Sequence, residues 1–147
     1  MKSLDALRLE LLEQHAGLRR LAETAIACAG RARLFEGSVP ELREVLDRLE
    51  TELVRHNAEE ERELHAILPT IDAWGAIRDK LMDERHVAEH EALVGAIQVA
   101  RAQAGPAAAA AAIGVVTKLL AHMEKEEREL LHPDVLRDDL VTSGVGG

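Results

Sequence analysis

Two stretches of this 147-residue chain nearly repeat each other: HNAEEEREL at 56–64 and HMEKEEREL at 122–130. Each opens with a histidine, carries a glutamate four residues on, and ends in EEREL. Their helical phase limits the folds open to the chain. At 100° per residue, Leu49, Leu53, His56, Glu60 and Leu64 fall on one side of a helix. Val115, Leu119, His122, Glu126 and Leu130 do the same, with Glu127 inside the same broad apolar arc. Two long helices therefore carry imidazole and carboxylate groups on the faces they must bury. Glu–Arg pairing on a solvated face accounts for the arginines of the repeat, but not for the inward polar groups.

The remaining sequence supplies two more helices. Leu4, Leu7, Leu11, Leu18, Leu21 and Ala25 step by threes and fours through a segment from about Ser3 to Ala29, with Gly30 as its stop and 30–40 as a loop. Ser38, Pro40 and Glu41 mark the start of the second segment, and Pro69 its end. The third runs from about Thr70 to Ala104 on the stripe Met82, Leu93, Val94 and Ile97, with Gly75 breaking off an entry turn. The fourth opens at Gly105–Pro106, passes through an alanine run at 107–112, and ends at Pro133. Period-two runs of β-branched or aromatic residues are absent. These features predict an all-α, up-down-up-down four-helix bundle over 1–133, with a short C-terminal helix and frayed tail over 134–147.

Charge and cysteine content narrow the functions. A net charge of −9 argues against nucleic acid, whose binders need a basic stripe, and against an anionic membrane surface. Cys28 is the only cysteine, so neither an internal disulfide nor a cysteine-based zinc site is expected. No basic n-region precedes an apolar h-region, and no unbroken run of about 18 apolar residues occurs. A reducing cytoplasm is the expected setting.

The inward histidines are not confined to the repeat. His86 and His90 lie four apart in the third segment, in line with Met82, Leu93 and Ile97, and His15 lies between Leu11 and Leu18 in the first. Every helix thus sends at least one histidine into the bundle. One such residue is ordinarily a hydrogen-bonded core histidine; five, spread over all helices, are not. Buried carboxylates cost several kcal/mol each unless paired, about the desolvation of an ion. No lysine or arginine shares their faces, so a cation must balance them. Imidazole with carboxylate suits iron, zinc or manganese rather than calcium or magnesium. Five histidines and two carboxylates exceed what a single tetrahedral zinc uses. They suit two metals bridged by carboxylates, with a position left open for a small molecule.

His15, His56xxxGlu60, His86xxxHis90 and His122xxxxGlu127 resemble the hemerythrin-like (HHE cation-binding) family in order, spacing and helix assignment, over roughly residues 10–132. The resemblance implies a non-haem di-iron centre with a bridging oxo or hydroxo group. His86, His90 and His122 would hold one iron, and His15 and His56 the other. Glu60 and a carboxylate of the fourth helix would bridge them. The family's five-residue spacing selects Glu127; Glu126, at the four-residue spacing seen between His56 and Glu60, is the alternative. The open position implies reversible binding of dioxygen, for carriage, storage or sensing, in a pocket lined by Leu11, Leu18, Leu53, Leu119 and Met123. An enzyme or scavenger acting on peroxide or nitric oxide, and an iron donor, are the competing functions. His65 and His132, after the two EEREL stretches, are expected as exposed, helix-terminal residues, with a gate or auxiliary metal contact as the other reading. Trp74 is expected to pack at one end of the bundle.

Overall fold

The computed structural model describes residues 3–71, 77, 79, 80 and 82–136, with the side chains of 82 and 83 outside the description. Helix α1 spans Leu4–Leu34. Ser3 caps it, its hydroxyl accepting from the Ala6 amide at 3.0 Å, and Arg31 and Arg33 complement the dipole in its last turn. The expected stop at Gly30 is not used. A glycine inside a helix costs only about 1 kcal/mol relative to alanine. Burial of Ala29 and Ala32, and an Arg31–Glu41 ion pair at 2.7 Å, favour carrying α1 one turn further.

The predicted loop therefore shrinks to Phe35 and a 3₁₀ turn at Glu36–Ser38. Helix α2 follows at Val39–Ile71. Pro40 sits in its first turn, as expected, while Glu41 turns to Arg31. Pro69 lies inside the last turn instead of ending it. So near the terminus a proline removes one helix bond without stopping the chain. Buried Ile71 anchors the extra residues.

The third helix begins as a π turn at Met82–His86 and continues as α3, Val87–Ala102. Residues 77, 79 and 80 are also helical. The predicted break at Gly75 and the packing of Trp74 lie outside the described residues, as does the Met82 side chain. Gly105, at φ +59°, makes the sharp link to α4, Pro106–Glu129, with Pro106 in its first turn. Helix α4 ends four residues before Pro133: the amides of Leu130 and Leu131 both donate to the Glu126 carbonyl, at 2.8 and 2.9 Å. Beyond it the His132 carbonyl accepts from Val135 and Leu136, forming a turn rather than a helix in 133–136 and burying Leu136. The rest of the expected C-terminal helix lies outside the described residues.

Helix α1 packs against α2 and α4, and α3 against the same two, the neighbour pattern of an up-down-up-down bundle. By length and mean hydropathy (1.4) α4 alone would pass for a membrane span, but 44% of that window is buried inside the bundle, and the helix carries His122 and Glu126. Among the described residues, two apolar clusters fill the interior. The larger holds Leu42, Leu46, Leu49, Leu53, Ile97 and Leu119, with small residues such as Ala22, Ala25 and Ala112. The smaller gathers Leu4, Leu7, Leu11, Leu64, Leu68 and Ile71 with Leu131 and Leu136. Along α1 and α2 the crossover from one cluster to the other falls at His15 and at His56–Glu60.

Candidate metal centre

Helical phase turns each of those polar crossover residues inward. His15 follows Leu11 by one turn on α1. On α2, His56 and Glu60 stand between Leu53 and Leu64. Helix α4 adds His122 and Glu126 after Leu119, and the π turn and first turn of α3 add His86 and His90. His15 and Glu60 are fully buried, and none of the seven exceeds 9% exposure.

All five histidines aim Nε2 at the same two carboxylates. His86 Nε2 is 2.8 Å from Glu60 Oε1 and in close contact with Glu126 Oε2. His90 Nε2 lies 3.4 Å and 3.3 Å from the same two oxygens. His56 Nε2 stands 3.0 Å from Glu60 Oε2, and His122 Nε2 3.2 Å from Glu126 Oε1. His15 Nε2 is 3.3 Å from Glu126 Oε1 and 3.6 Å from Glu60 Oε2. Ring centroids group the histidines as His15–His56, 4.8 Å apart, and His86–His90–His122, 4.3–5.0 Å apart.

Charge follows from this packing. Burial opposes protonation of His15, His86 and His90, but Glu126 and Glu60 outweigh it and raise them to about 9, 9 and 10. Burial also pushes both carboxyls up, yet the surrounding histidines hold Glu60 and Glu126 below the usual carboxylate range. Among the described residues, the ion-pair partners of these two acids are all histidines.

Among the described residues, two donor sets could each hold a cation: His86, His90, His122 and Glu126, and His15, His56, Glu60 and Glu126. The residues fit such a group on a second count. Glu60 Oε2 and His122 Nε2 are buried without a hydrogen-bond partner, although each has an oppositely matched atom within 3.2 Å. His86 and His90 hydrogen-bond the two carboxylates, and the His15 and His56 Nε2 atoms lie 3.1 Å apart, so the two unpartnered atoms are donor capacity that the protein's own hydrogen bonds leave for a cation.

Glu126, not the preferred Glu127, is the α4 carboxylate in this cluster. Glu127 lies one residue round the helix, where the Arg19 guanidinium grips both its oxygens and holds its carboxyl below the ordinary range. The α4 spacing is therefore the same four residues as in α2. Of the five residues expected to line a pocket, Leu18, Leu53, Leu119 and Met123 belong to the larger apolar cluster and Leu11 to the smaller. Leu18 also lines a solvent-open groove of about 680 Å³ between α1 and α2, whose wall includes Gln14 and His56. His65, 62% exposed, pairs with Asp79 at 3.0 Å, and His132 bonds the Asp134 amide; neither enters the two donor sets.

Sequence reasoning missed the groups on the far side of the rings. His56 Nδ1 is 2.6 Å from Gln14 Oε1, His90 Nδ1 3.0 Å from Glu61 Oε1, and His122 Nδ1 3.0 Å from Glu89 Oε2. Each of the three is the chain neighbour of an inward residue, which was the available signal. Which adjacent helix it would serve was not.

A helical bundle whose middle holds two buried imidazole–carboxylate sets is a metal-binding helical protein. A model of the family described as the hemerythrin HHE cation binding domain matches residues 8–132, and the chain belongs to that family. Comparisons with curated proteins and with solved structures gave no match.

Proposed function

We propose that the protein is a non-haem di-iron protein that binds dioxygen, for carriage, storage or sensing, in a reducing cytoplasm. The observation that carries this is the sharing of Glu60 and Glu126 between two histidine groups. Glu60 offers one oxygen to His86 and the other to His56, 2.8 and 3.0 Å away, and Glu126 belongs to both donor sets. That sharing supports a reading in which the two carboxylates bridge a metal pair. His86, His90 and His122 would hold one iron; His15 and His56, one histidine fewer, would hold the other and leave it a position for a small ligand. When bound, a ferrous pair supplies the two electrons that reversible dioxygen binding requires. The chain supplies the rest. Gln14, Glu61 and Glu89 fix ring orientation, and the leucines on either side keep water from the buried donors. The single, buried Cys28, whose thiol burial pushes up, suits a reducing compartment.

The test is to quantify iron, reduce the protein without air, admit oxygen and follow the visible spectrum. Two irons per chain with a charge-transfer band that appears with oxygen and vanishes on its removal support a carrier or sensor. A transient band ending in an oxidised pair supports instead an enzyme or scavenger of peroxide or nitric oxide. Iron that passes readily to a chelator supports an iron donor, and absence of iron removes the reading.

A further inference from the structure

Around the ligand cluster the helices serve one another in cyclic order. Gln14 of α1 contacts His56 of α2, Glu61 of α2 contacts His90 of α3, and Glu89 of α3 contacts His122 of α4. Glu127 of α4 approaches His15 of α1, closing the circuit, but at 3.7 Å. Every contact is to Nδ1, and each of the four residues is the chain neighbour of His15, Glu60, His90 or Glu126.

The four contacts are not equivalent. Glu61 and Glu89 are carboxylates at 3.0 Å, and Glu89 is itself tied to Lys125 at 3.0 Å. A carboxylate accepting the Nδ1 proton fixes the tautomer that leaves Nε2 free and makes the ring a stronger donor. Gln14 is a neutral amide. Its Nε2 donates to Glu59 at 2.6 Å, so its Oε1 must be the end that accepts from His56. It fixes the same tautomer but lends no charge. Glu127 is drawn to Arg19, and His15 Nδ1 has no hydrogen-bond partner.

We infer that this ring positions the histidines, and that Gln14, together with the open contact at His15, makes the His15/His56 position the weaker and later-filled of the two. The inference rests on the two-metal reading above. Gln14 is a positioning residue: it acts on a metal only through His56.

Two readouts test it. The first is a chelator-competed Co²⁺ titration of metal-stripped protein, resolving two binding steps. Gln14→Ala should weaken the second step by about 10- to 100-fold, the usual effect of losing such a partner, and leave the first within about twofold. Glu61→Ala should weaken the first step by the same order. Gln14→Glu made together with Glu59→Gln, which keeps one amide donor between the two side chains, should restore the second step or tighten it. The second readout needs no metal: long-range ¹⁵N–¹H correlation spectra of the stripped protein should show His56 as the Nδ1–H tautomer in the parent and in the Gln14→Glu/Glu59→Gln pair, and a tautomer mixture in Gln14→Ala. A parent that binds fewer than two Co²⁺ refutes the two-metal reading and, with it, the order of filling, while the His56 tautomer still decides whether Gln14 orients the ring. A parent that binds two, with Gln14 variants shifting both steps equally or neither, overturns the inference itself, as does an unchanged tautomer in Gln14→Ala.

Discussion

Stripping the metal should reverse the pH dependence of stability. With only protons to balance Glu60 and Glu126, the folded chain keeps His15 and His86 charged to about pH 9 and His90 to about pH 10, whereas an unfolded histidine titrates near 6.5. A pKa raised on folding stabilises fully below pH 6.5, and that stabilisation is lost as pH rises through 9 to 10. One histidine moved from 6.5 to about 9 contributes about 3 kcal/mol. The three share two carboxylates, so about two net protons, roughly 6 kcal/mol, bound the total. Against a typical stability of about 5–15 kcal/mol, that loss is a large fraction of the whole and should lower the urea midpoint of the stripped chain clearly by pH 10. The depressed carboxyls set the other limit: their contribution is present above an ordinary carboxylate pKa and disappears as pH falls through their lowered values. Bound metal needs deprotonated rings, so its stabilisation should grow over the range where the stripped protein weakens. Urea unfolding of stripped and loaded protein at pH 6, 7.5, 9 and 10 would test this. A stripped protein whose stability is flat or rising from pH 6.5 to 10 would show that these histidines are not held charged by Glu60 and Glu126.

Three other outcomes are expected. Glu126→Gln should abolish stoichiometric metal binding, because Glu126 faces four of the five histidines; Glu127→Gln should keep the metal and cost at most about 1 kcal/mol in urea unfolding, the value of a part-exposed ion pair. His90→Ala should lower metal content sharply and His65→Ala should not, as elemental analysis of the two purified variants would show. Gly105→Ala meets only Glu36 Oε1, 4.0 Å from the added carbon, yet its φ of +59° should cost about 1–3 kcal/mol in backbone strain; an unchanged urea midpoint would mean that the α3–α4 link relaxes freely.

The bundle was legible in the sequence because its apolar stripes are long and its connections short. The seven inward polar residues were legible for the same reason: phase alone places His15, His56, Glu60, His86, His90, His122 and Glu126 on buried faces. Phase could not separate Glu126 from Glu127, which differ by 100° on an arc broad enough for both. Arg19, on another helix, separates them by claiming Glu127, and that pairing spans 108 residues of chain. Helix ends were misplaced at Gly30 and Pro69 because local propensity, worth about 1 kcal/mol or one lost backbone bond near a terminus, yields to the burial of Ala32 and Ile71, whereas α4 stops short of Pro133 because the Leu130 and Leu131 amides both turn to the Glu126 carbonyl. The π turn at Met82–His86 left no trace in the apolar spacing, since His86 and His90 remain four apart whichever hydrogen bonds precede them.

The division of the core by a polar layer bears on how the molecule comes apart. Leucine packing does not run continuously from one end to the other; it is interrupted where five imidazoles meet two carboxylates. A cation there would act as a rivet through all four helices. Without it the chain should behave as two cooperative units of unequal strength. Amides of α1 before His15 and of α2 beyond Glu60, packed only on the smaller cluster, should exchange with solvent by partial opening while those around Leu42–Leu53 still wait for global unfolding. Metal should merge the two rates into one, so the same residues that would bind a small ligand would also decide whether this bundle unfolds as one body or as two.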